Sequence, residues 1–136
     1  MDWTQFIKIY LISIPVFFGI DMLWLGVIAK DFYAKNLGYI MAPKPNWTAA
    51  IIFYFIYLIG ITIFAVMPAV EKNSFFQAVI LGGLFGMIAY ATYDLTNLAV
   101  LKNWPLNLTI IDIVWGTVLS ASVASITYFV FTKWVA

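Results

Sequence analysis

Residues 75–101 read FFQAVILGGLFGMIAYATYDLTNLAVL, and this run decides the fold. Asp94 is its only charged side chain. About 20 apolar residues in a helix cross the ~30 Å hydrocarbon core of a bilayer, and this run is longer than that. Within it, Tyr90, Asp94 and Asn97 are spaced four and three residues apart, so a helix places them on one face. A polar stripe inside a membrane helix needs a partner or a purpose.

Composition extends the same reading to the whole chain. Of 136 residues, 65% are hydrophobic and 10% charged, with a mean hydropathy of +1.00. A soluble domain carries about 25% charged residues. The expected fold is therefore an all-α integral membrane protein, a four-transmembrane-helix bundle forming a single domain over residues 1–136. The start, Met1-Asp2-Trp3-Thr4, lacks the basic opening of a signal peptide, so the first span is expected to be retained.

Outward from residues 75–101 (span 3), the other spans follow. Lys102-Asn103-Trp104 is a very short turn, so span 4, about 105–132, forms an antiparallel hairpin with span 3. Span 2 runs over about 47–67, uncharged throughout. Pro68 is expected to stop it, and the lack of charge predicts that this span has the most lipid contact. Span 1 covers about 3–29 and contains Pro15, an expected kink. Residues 30–46 form the one long loop, mixing lysines with aromatics as interfacial segments do, and a short surface helix is expected in it. Asn46 is a suitable N-cap for span 2. Gly82-xxx-Gly86 in span 3 and the Gly116, Ser120, Ala124 series in span 4 are small-residue faces suited to close helix packing, within one chain or between copies in a homo-oligomer.

Missing residue types exclude several chemistries. The chain has no cysteine and no histidine, which removes disulfides, thiol nucleophiles, the usual zinc sites and histidine-ligated haem. All seven basic residues are lysines, so no bidentate arginine clamp is present. A net charge of +1 without a basic cluster makes nucleic acid an unsuitable partner. The expected partners are the lipid bilayer and a small molecule or cation.

Three aspartates interrupt the apolar helices. With four spans, loops 1 and 3 share one membrane face. Asp21, Asp94 and Asp112 each lie seven or eight residues from the span end at that face. At 1.5 Å per residue, all three are ~10–12 Å deep. Spans 1, 3 and 4 can thus present three carboxyl groups at one depth. Such a cluster needs protons, a metal, a cationic ligand, or Lys30 and Lys102 reaching down from the rim. Asp21, Asp94 and Asp112 are therefore the candidate ligand-binding residues, with Asn97, Tyr90, Tyr93, Trp24 and Trp115 as their polar and aromatic neighbours. No resident cofactor is expected, although Mg²⁺ or Mn²⁺ would suit an all-carboxylate site. Asp21-Met-Leu-Trp24 and Asp112-Ile-Val-Trp115 are both Asp-x-x-Trp on helices of opposite direction, the pattern an inverted repeat would leave.

Three stretches carry a resemblance: Asp21-Met-Leu-Trp-Leu-Gly26 with Lys30-Asp-Phe-Tyr33, then Tyr93-Asp-Leu-Thr-Asn97, then Asp112-Ile-Val-Trp-Gly116. In these the chain resembles a family of small four-span bacterial inner-membrane proteins of unknown function. The resemblance implies a multi-pass location in the bacterial inner membrane and brings no activity with it. Size and span number are also similar to those of the small multidrug exporters, which use a membrane-embedded carboxylate. Three functions remain open at this level. The aspartate cluster could bind or transport a proton, cation or small amphiphile. It could supply acid and base to an enzyme acting on a lipid or isoprenoid. It could instead be satisfied locally in a structural or accessory subunit. Four lysines on the cluster side against three on the other lean that side toward the cytoplasm.

Overall fold

A computed structural model describes residues 1–136. Four helices are long and apolar enough to cross a membrane: Trp3–Ile28, Trp47–Glu71, Phe75–Val100 and Leu106–Val135. A short helix, Phe32–Leu37, lies in loop 1. Local chemistry marks the boundaries. Asp2, Asn46 and Ser74 cap the first three spans, each accepting from the backbone N–H three residues on, at 3.1–3.2 Å. The two tight turns each contain an asparagine with left-handed backbone, Asn73 (φ 50°) and Asn103 (φ 60°). Asparagine tolerates that region better than most residues with a side chain.

Two expectations about span 2 are corrected. Pro68 does not end the helix, which continues to Glu71. The turn before it, Thr62–Val66, widens to π geometry, and Met67 N–H bonds back to Thr62 O. A local π turn lets a helix absorb a proline, because it relieves the ring's crowding against the preceding turn. Nor is span 2 the most lipid-exposed helix. Its most apolar stretch is 33% buried, against 17% for span 1. The second half of span 2 wedges between the other three helices, burying Leu58, Ile61, Ala65, Val66 and Ala69. Absence of charge measured how greasy the helix is, not which way it faces. Span 1 also stays helical through Pro15.

Spans 3 and 4 make the tightest pair. A Cβ on Gly82 would stand 2.6 Å from Ala124 Cβ and 2.7 Å from Ser120 O, and one on Gly86 would fall on Gly116 O. The Gly82-xxx-Gly86 face is therefore used inside the chain, against the small residues of span 4.

Packing is uneven along the bundle. The continuous core, including Ile9, Phe17, Ile61, Val66, Leu119 and Val123, fills the half nearest the termini. Toward loops 1 and 3, span 2 leans on span 1 through Phe17 and Phe18 against Tyr54. In that direction its first half scarcely reaches span 3. The last ring contact between them is Tyr57–Tyr90, with centroids 6.3 Å apart. Beyond it the two helices diverge and a cavity opens.

Candidate functional site

The cavity has a volume of about 460 Å³, within the ~300–1,000 Å³ range of small-molecule sites. All four spans and the loop helix supply its wall. Span 1 gives Asp21, Trp24 and Leu25; the loop helix gives Tyr33; span 2 gives Ala50, Phe53 and Tyr54. Span 3 gives Ala89, Tyr90 and Tyr93, and span 4 gives Asp112 and Trp115. Tyr57 lies beneath, held by a 2.5 Å hydrogen bond with Ser120. Tyr90 lies directly over Gly116, where any side chain would collide with its ring.

The two Asp-x-x-Trp segments meet here and cross. The indole rings of Trp24 and Trp115 stack with centroids 4.3 Å apart and planes 8° from parallel. Trp115 and the Asp21 carboxyl line the same cavity beside this stack. Trp24 donates to the Tyr33 hydroxyl at 2.9 Å, and Tyr33 donates to Asp112 Oδ1 at 2.7 Å. Antiparallel direction explains the crossing. In span 1 the aspartate is deeper than its tryptophan; in span 4 it is shallower. Each carboxyl therefore lies close in depth to the other helix's tryptophan, and Asp112 is joined to Trp24 through Tyr33.

Tyr33 closes this network and lies in loop 1, outside the spans. Burial, and after it the charge of Asp112, pushes its phenol well above the ordinary range, so it remains a donor. Sequence reasoning placed Tyr33 on an interfacial loop and omitted it, with Phe53 and Tyr54, from the candidate site. A loop tyrosine gives no periodic signal of turning inward. Its one mark was its place in the Lys30-Asp-Phe-Tyr33 stretch.

Six of the eight residues expected from the sequence line the cavity: Asp21, Trp24, Tyr90, Tyr93, Asp112 and Trp115. Asp94 and Asn97 do not. Asp94 is fully buried at the span 3–span 4 contact, facing Asp112, and neither of its carboxyl oxygens has a hydrogen-bond partner. Asn97 is partly exposed one turn further on. The carboxyls thus form a row, Asp21 and Asp112 on the cavity wall and Asp94 behind Asp112, rather than a common focus. No group of three acidic side chains is arranged to hold a metal ion.

A family model described as "Predicted membrane protein (DUF2177)" matches residues 6–129. The chain belongs to that family. The match takes in every residue of the cavity wall, the whole of spans 2 and 3 and most of spans 1 and 4. No curated protein and no solved structure matches the sequence.

Proposed function

We propose that the cavity binds an organic cation within a bacterial inner membrane, and that binding or transport of such a cation is the protein's role. One observation carries this reading. Asp21 and Asp112 are the two non-hydrophobic residues in a wall of twelve, and most of the others are aromatic. Carboxylates taken out of water need compensating positive charge. Aromatic faces attract a cation through the ring quadrupole, most strongly when it is desolvated, and cages of this kind suit quaternary ammonium groups. A hard metal ion gains little from such a wall, since indole and phenol faces cannot replace its oxygen ligands.

Isothermal titration of the purified protein with tetramethylammonium tests the proposal. Protons and the cation compete for the same carboxyls, so affinity falls as the solution is acidified from pH 8 to pH 5. Asp112→Asn keeps an oxygen for Tyr33 to donate to, so the network survives while the charge is lost. The expected loss is at least tenfold in affinity, about 1.4 kcal/mol or more. Binding unchanged by both acidification and Asp112→Asn would overturn the proposal. Flux in proteoliposomes then separates transport from binding.

A further inference from the structure

We infer that the cation is membrane-resident: an alkylammonium amphiphile whose head sits between Asp21 and Asp112 and whose tail leaves sideways between spans 2 and 3. This inference rests on the cation-site reading above and adds the ligand's class and its route.

The cavity is covered from the water and open toward the lipid. Over its loop side, Tyr33 reaches down to Asp112 at 2.7 Å, pinning the short loop helix above the span 1–span 4 contact. Tyr39 donates to Asn103 O at 2.7 Å and ties the same loop to the span 3–span 4 turn. Below, Tyr57 and Tyr90 close the floor. The remaining side is the divergence between spans 2 and 3. Phe53 on span 2 and Tyr93 on span 3 both line the cavity and are its two most exposed wall residues, at 50% and 54%. A residue that belongs to the wall and also faces outward marks the mouth.

The mouth opens at acyl depth. Ala50 and Phe53 lie three and six residues into the span that begins at Trp47. At 1.5 Å per residue they are ~5–9 Å below the membrane face. Tryptophan at a span's edge marks the headgroup level, so this opening meets acyl chains. Its rim carries no charge and is apolar apart from the Tyr93 hydroxyl, whereas both carboxyls lie inside. A ligand that fits needs an apolar part at the rim and a positive part at the inner end. A tailed ammonium has that order, and a small hydrated cation has only half of it.

The test compares dodecyltrimethylammonium with tetramethylammonium in nanodiscs of one fixed lipid composition without choline headgroups. At fixed lipid content, partitioning of each ligand into the bilayer is the same for every variant. Ala50→Trp fills the mouth from the span 2 bank and leaves the carboxyls untouched. It is expected to weaken dodecyltrimethylammonium at least tenfold more than it weakens tetramethylammonium. Ala50→Leu, a smaller plug at the same place, serves as the second variant, with thermal melting confirming that each variant is folded. Asp112→Asn weakens both ligands. If both plugs affect the two ligands equally, or affect neither, the lateral route is wrong while Asp112-dependent tetramethylammonium binding still stands. If the unaltered protein binds neither ligand, the cation site itself is wrong and the route falls with it.

Discussion

The two halves of this bundle are built from different alphabets. Near the termini, Gly82 and Gly86 meet Gly116, Ser120 and Ala124 so closely that backbones touch. Leu58, Ile61, Val66, Leu119 and Val123 seal what remains. Near loops 1 and 3, the wall is built from tryptophan, tyrosine and aspartate, and a 460 Å³ cavity stays open. Small residues let helices approach until van der Waals contact is complete. Large aromatic side chains with polar atoms prop helices apart unless their partners fill the space. One half provides stability, and the other holds an opening at the expense of packing.

Adding a methyl-sized group in each half breaks or confirms that contrast, and here the largest effect is expected. Gly86→Ala puts a Cβ against Gly116 O and the Ser120 side chain. Backbone cannot rotate aside, so spans 3 and 4 must separate. The expected cost is about 1–3 kcal/mol or more, read as a lower midpoint in detergent unfolding. Ala89→Val, one turn away on the same helix but on the cavity wall, has room and is expected to change stability by less than about 0.5 kcal/mol. Equal losses at the two positions would mean that the halves are packed alike.

The roof of the open half is the next point of leverage. Tyr33→Phe keeps the ring and removes the hydroxyl that links Trp24 to Asp112. A hydrogen bond to a charged group contributes about 1.5–3 kcal/mol. Because Tyr39–Asn103 remains as a second tie, the loss is expected to be local. Hydrogen exchange should quicken across residues 30–46 and remain unchanged in the span 3–span 4 hairpin. Quickening throughout the bundle would show that the roof supports the fold as well as the cavity.

The packed half was largely legible in the sequence, because its signals are periodic. The runs of apolar residues gave the four spans, and four-residue steps from Gly116 gave the inward face of span 4. The open half was legible in depth but not in rotation. Counting from the loops set Asp21, Asp94 and Asp112 near one face. It could not tell that span 3 turns Tyr90 and Tyr93 to the cavity and Asp94 toward span 4. A difference of one residue on a helix is 100° of direction, and no apolar stripe fixes direction where every face is apolar. Tyr33 and Pro68 escaped for a related reason. A loop side chain and a widened turn are decided by what they pack against, which local spacing does not encode.

Asp94 gives the smallest expected effect. It stood at the centre of the polar stripe, so the sequence made it the natural first target. The structure moves it behind Asp112, fully buried, with both oxygens unpartnered. An ionised carboxylate without a partner inside a membrane protein is too costly to persist, whereas the neutral acid is tolerated. Asparagine is close to the neutral acid in shape and charge. Asp94→Asn is therefore expected to leave the fold intact and to change tetramethylammonium affinity at pH 7 by less than about threefold, against at least tenfold for Asp112→Asn. Titration of the two variants side by side measures the difference. If Asp94→Asn weakens binding as much as Asp112→Asn, then Asp94 carries charge that the ligand feels, and the site is a carboxylate row of three rather than a facing pair.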